Sequence, residues 1–117
     1  MTQPAYALDA ARRRVVLELL RAVCLFRGWS LLAAHVRTNH VHAVVHGEAT
    51  PEKMMHSFKS YASRALNDFA VDAPGRKRWA RHGSTRWLRE RDGIAAAIRY
   101  VVYEQGTSMA VYEQAIA

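Results

Sequence analysis

The chain has 117 residues, half of them hydrophobic, and 17 Lys and Arg against 10 Asp and Glu give it a formal net charge of +7. That length suits one domain, residues 1–117, and the spread of apolar residues excludes a disordered chain. No apolar run is long enough to span a bilayer and no signal peptide precedes the first element, so a cytoplasmic protein is expected, with no membrane partner and with a polyanion, above all nucleic acid, as its partner.

Ala5-Tyr6-Ala7-Leu8 reads as a strand end or an arm. Asp9 then caps a first helix in which Ala11, Val15, Leu19, Ala22, Val23 and Phe26 recur at helical spacing, and Gly28 closes it. Arg12, Arg13 and Arg14 read as an exposed helix face. The single Cys24 sits among apolar residues and is expected to be a buried free thiol. Trp29 to Arg37 and His40 to His46 read as two strands of a hairpin joined at Thr38-Asn39. On the second strand His40, His42, Val44 and His46 share one face, and Val41, Ala43 and Val45 the other.

Thr50-Pro51-Glu52-Lys53 starts a second helix. Its expected buried stripe is Met54, Met55, Phe58, Ala62, Ala65, Leu66 and Phe69. His56, Lys59, Ser60, Ser63 and Asn67 form a polar face suited to a nucleic-acid backbone, and Tyr61 borders the stripe. From Arg76 to Arg91 come seven Arg or Lys with only Glu90 as an acid. Trp79, His82 and Trp87 are interleaved there, so bases can stack where phosphates are held. We weigh that above the alternative, a solvated basic loop with two core tryptophans. The cluster reads as a second hairpin around Gly83-Ser84. A third helix opens at Asp92 or Gly93, with Ile94, Ile98, Val101, Val102 and Gln105 on one side, and ends at Gly106. Tyr100 and Glu104 lie one turn apart on one face. The tail, residues 107–117, is expected to add a last helical turn or two.

Two histidines one residue apart on one strand face are placed to share a divalent metal. Glu104 then reads as the third ligand, with Tyr100 held nearby. A phenol is a weak nucleophile at neutral pH, its ordinary pKa being about 10, and becomes effective once a metal polarises the phosphate it attacks. These parts suit attack on a phosphodiester that leaves a phosphotyrosine link and a free 3′-hydroxyl.

The sequence resembles the single-tyrosine HUH transposases, the insertion-sequence-200-like group and the REP-associated tyrosine transposases. Asn39-His40-Val41-His42 leading into an apolar strand carries the resemblance, with Lys59-Ser60-Tyr61, Trp79-Ala80-Arg81-His82-Gly83-Ser84 and the helix containing Tyr100-Val101-Val102-Tyr103-Glu104-Gln105. It implies an α+β fold, a small antiparallel sheet of the ferredoxin-like HUH type with helices packed on it. It implies that His40 and His42 bind Mg²⁺ or Mn²⁺ together with Glu104, or Gln105 if the register differs, and that Tyr100 is the nucleophile. It further implies a single-stranded or hairpin DNA substrate, action in DNA transposition, and a homodimer in which one subunit's tyrosine serves its neighbour's histidines. Lys59, Arg78, Arg81, Arg86 and Arg89 would position the DNA.

Three departures stand out. Thr38 replaces a common Pro, Glu104 replaces an amide, and little of the family's first strand precedes Asp9. A shortened N-terminus favours a second reading, a domesticated nucleic-acid-binding module without catalysis. A third is a structural Zn²⁺ site combining the two histidines with His46 or His35.

Overall fold

The computed structural model describes residues 6–69, Arg78 and residues 91–114. The elements run α1 (Ala10–Arg27), β1 (Ser30–Val36), β2 (Val41–His46), α2 (Pro51–Phe69), α3 (Arg91–Tyr103) and β3 (Ala110–Glu113). The strands form one antiparallel sheet in the order β2-β1-β3. This is the expected α+β architecture, a small antiparallel sheet with helices against it.

The ends of the helices follow from local chemistry. Asp9 stands outside the helix in extended conformation and accepts the Arg12 N–H at 2.8 Å. That backbone bond, reinforced by the Arg12 and Arg13 charges, holds the Asp9 carboxyl below its ordinary pKa. At the other end Gly28 takes the left-handed conformation at φ 75°, and Trp29 N–H donates to Cys24 O at 2.8 Å. Thr50 Oγ accepts the Lys53 N–H at 3.2 Å ahead of Pro51.

A bulge in β1 decides which side each residue faces. The register with β2 shifts between Leu31 and Ala33, so these two residues face opposite layers. Leu31, Ala34 and Val36 pack with Leu8, Val16, Leu20, Cys24 and Leu66 beneath α1 and α2. Ala33 and Val44 pack with Val101 and Val102 of α3 on the other face. Burying Val16, Val36 and Leu66 contributes roughly 1.5–3 kcal/mol each.

Three expectations need correction. The buried side of α1 is Val16, Leu20, Val23 and Cys24, turned from the expected stripe, and Phe26 is 78 % exposed. Apolar residues nearly encircle this helix, so their spacing does not choose a single face. Phe69, expected in the core, is exposed at the end of α2. The tail forms β3 instead of helix. Gly106 turns the chain at φ 74°, and Ala110-Val111-Tyr112-Glu113 alternates against the open edge of β1. Accordingly α3 stops at Tyr103, before Gly106. The second hairpin lies outside the described residues apart from Arg78, which donates to Ser63 O and stacks over Tyr6 at 5.3 Å.

Cys24 is buried, as expected, and burial raises its thiol to a pKa of about 11. Because the thiolate is the reactive form, Cys24 is expected to resist a disulfide reagent at pH 8 in the folded protein and to react fully in denaturant. Gly47 faces a second constraint. A Cβ there would collide with Trp29, lying 2.9 Å from Cγ and 3.0 Å from Met54 Cε, while Trp29 is itself braced edge-on by Phe58 at 5.8 Å. Gly47→Ala is therefore expected to lower the unfolding free energy by about 1–3 kcal/mol in a urea titration.

Candidate active site

The hairpin places the histidines. Arg37 N–H donates to His40 O at 2.8 Å, closing the two-residue connection Thr38-Asn39, and β2 begins at Val41. His40 thus sits at the mouth of the strand and His42 within it. Their rings lie parallel within 7°, with centroids 6.0 Å apart. Val41 and Val45 pack toward α1 and α2 while Val44 packs toward α3, so His42 faces α3. There the Tyr100 ring meets His42 edge-on at 6.3 Å. Residues on β2 and α3 are thereby brought together.

The electrostatics suit metal ligation. His40 Nδ1 lies 2.8 Å from Asn39 Oδ1; an amide oxygen only accepts, so Nδ1 donates this bond and Nε2 is the ring nitrogen left for other partners. Burial lowers the pKa of His42, and the nearby His40, His35 and Arg37 lower it further, which favours the neutral, ligating form. The two imidazoles are thus adjacent, with His42 biased toward its neutral form.

Other expected ligands are placed differently. Glu104 lies exposed in the bend just past α3, although its N–H still donates to Tyr100 O at 3.1 Å. Gln105 Nε2 donates to the same carbonyl at 3.3 Å. Among the described residues no group of three or more His, Cys, Asp or Glu is arranged to hold a metal. His35 is withdrawn from the zinc alternative, because both its ring nitrogens are engaged, with Val101 O at 3.1 Å and Met109 N–H at 3.0 Å. His46 pairs with Ser30, four residues along β2 from His42, or roughly 13 Å at ~3.3 Å per residue.

The two tyrosines of α3 have different surroundings. Tyr103 donates its hydroxyl to Glu113 Oε1 at 2.6 Å, and that carboxylate raises its pKa. Tyr100 is 52 % exposed beside His42. Of the basic residues expected to hold DNA, Lys59 lies on α2 and Arg78 contacts it, in the layer across the sheet from Tyr100. Arg81, Arg86 and Arg89 lie outside the described residues. Arg37, not among the expected site residues, stands beside the site and donates to Thr107 O at 2.9 Å. Its signal was its place, immediately before Thr38-Asn39-His40.

A family model described as "Transposase IS200 like" matches residues 5–91. The chain belongs to the IS200-like transposase family. The match takes in the histidine strand and the basic cluster and stops short of Tyr100 and Glu104. Membership assigns this IS200-like chain a transposase role, in the general class of enzymes that cut and join DNA. Comparison with curated proteins and comparison with solved structures returned no match. Among the described residues no helix is long and apolar enough to cross a membrane.

Proposed function

We propose that this IS200-like protein is a metal-dependent transposase that nicks and rejoins single-stranded or hairpin DNA, with Tyr100 as nucleophile and His40 and His42 as metal ligands. The observation that carries the reading is the edge-on contact of Tyr100 with His42, whose ring lies parallel to that of His40. The Tyr100 hydroxyl attacks a backbone phosphorus. An O–P bond forms, the P–O3′ bond breaks, the phenolic proton passes to water, and the departing 3′ oxygen takes up a proton. The products are a 5′-phosphotyrosine and a free 3′-hydroxyl. Attack by another strand's 3′-hydroxyl reverses the step and rejoins the DNA without ATP, because one phosphoester is exchanged for another.

A bound Mg²⁺ or Mn²⁺ would polarise the phosphate and offset its charge. The chain supplies the rest. Asn39 orients His40, burial favours the neutral form of His42, Arg37 adds positive charge, and Glu104 or Gln105, in the bend just past α3, would supply the third ligand. Lys59, Arg78, Arg81, Arg86 and Arg89 hold the DNA backbone, and the active unit is a homodimer.

The test incubates labelled hairpin DNA with the protein and Mn²⁺ and looks for a covalent adduct on a denaturing gel, mapped by mass spectrometry. An adduct on the peptide containing Tyr100 supports the proposal. Salt-sensitive binding with no adduct under any divalent metal overturns it and favours the binding-module reading.

A further inference from the structure

We infer that His35 is a positioning residue that fastens the Tyr100 helix to the histidine strand; its functional meaning rests on the assignment of Tyr100 and His42 proposed above. His35 is fully buried, and no other polar or charged residue among the described residues is buried. An imidazole in the middle strand of a sheet is costly to bury unless both ring nitrogens find partners. Both do, and both partners belong to the segment carrying Tyr100. A backbone N–H can only donate, so the Met109 bond makes Nε2 the acceptor. The proton then lies on Nδ1, which donates to Val101 O.

Each partner matters for the site. Val101 directly follows Tyr100 in the last turn of α3, where helix carbonyls lack partners further along the helix. Met109 immediately precedes β3. One ring therefore ties down both ends of the bend at residues 104–107. On the sheet, His35 is the cross-strand partner of His42. The path from His42 to Tyr100 thus runs through one side chain and one carbonyl, in addition to the direct ring contact. A purely structural core histidine would stabilise the whole domain without favouring this segment.

The experiment compares the full chain with His35→Leu, which fills the space without polar atoms, and His35→Gln, whose amide offers one donor and one acceptor. Hydrogen exchange is read at residues 101–103 and 110–113 against α1, alongside DNA affinity and the single-turnover rate of adduct formation at saturating hairpin DNA with Mn²⁺. In His35→Leu, exchange at these residues is expected to rise about tenfold more than in α1. DNA affinity should stay within about twofold while the adduct rate falls about tenfold or more, because misplacing a reacting group acts on the chemical step. His35→Gln should recover most of both losses. Uniform exchange across α1 and α3, an unchanged adduct rate in folded His35→Leu, or a Gln variant no better than Leu would each overturn the inference.

Should His35→Leu fail to fold, nitrogen-15 NMR of the native ring decides. A slowly exchanging Nδ1 proton supports the fastening, and an Nε2-protonated ring overturns it. If the native chain forms no adduct, the Tyr100 assignment fails, and the exchange measurement alone still tests whether His35 fastens α3.

Discussion

Replacing Tyr100 with phenylalanine is expected to abolish the covalent protein–DNA adduct while leaving the protein folded. The substitution removes one oxygen from a half-exposed ring and keeps the edge contact with His42. Its effect on stability should therefore stay within about 0.5 kcal/mol. The attacking atom, however, is gone, and removal of a nucleophile costs on the order of 10³-fold or more. Two other tyrosines serve as internal controls. Tyr61 lies on α2 beside the guanidinium groups of Arg27 and Arg64, at 6.0 and 5.6 Å from its ring, across the sheet from His40 and His42. Tyr103 is held by Glu113. Tyr61→Phe and Tyr103→Phe should each retain the adduct. An adduct that survives Tyr100→Phe and disappears in Tyr61→Phe would sink the assignment.

What the sequence disclosed about this protein was mostly local. Asp9, Gly28 and Thr50-Pro51 act on groups within a turn of themselves, so they mark helix ends without knowledge of the fold. The alternation through His40, Val41 and His42 likewise puts the two histidines on one side of β2 and Val41 on the other. Long-range partners were hidden. Nothing near Ala110 announces that β1 has an open edge for it, and a short apolar run there reads equally well as helix. His35 looked like a spare ligand because its partners, Val101 and Met109, lie 66 and 74 residues away. The buried side of α1 failed for another reason. Once a helix is apolar nearly all round, only packing against the bulged strand chooses its face. Glu104 shows the same limit, since whether it follows Tyr100 around one more helical turn depends on where the bend at residues 104–107 begins.

The second large effect concerns His42. His42→Ala is expected to bring adduct formation below detection in Mn²⁺ and leave salt-sensitive DNA binding within about threefold, because phosphate neutralisation by Lys and Arg supplies affinity independently of the metal. His46→Ala should change neither. The contrast is sharp because both imidazoles belong to one strand and one face, and only their positions differ. His42 stands parallel to His40, beside Tyr100 and opposite His35, whereas His46 pairs with Ser30 at the far end of the hairpin. A general loss of basic charge would weaken both variants alike, and general destabilisation would lower the melting temperature together with activity. A ligand role predicts neither pattern. It predicts instead that Mn²⁺ raises the melting temperature of the native chain and of His46→Ala but not of His42→Ala, since only a protein that binds the ion in its folded state gains stability from it. Equal metal-induced shifts in all three proteins would remove His42 from the metal site.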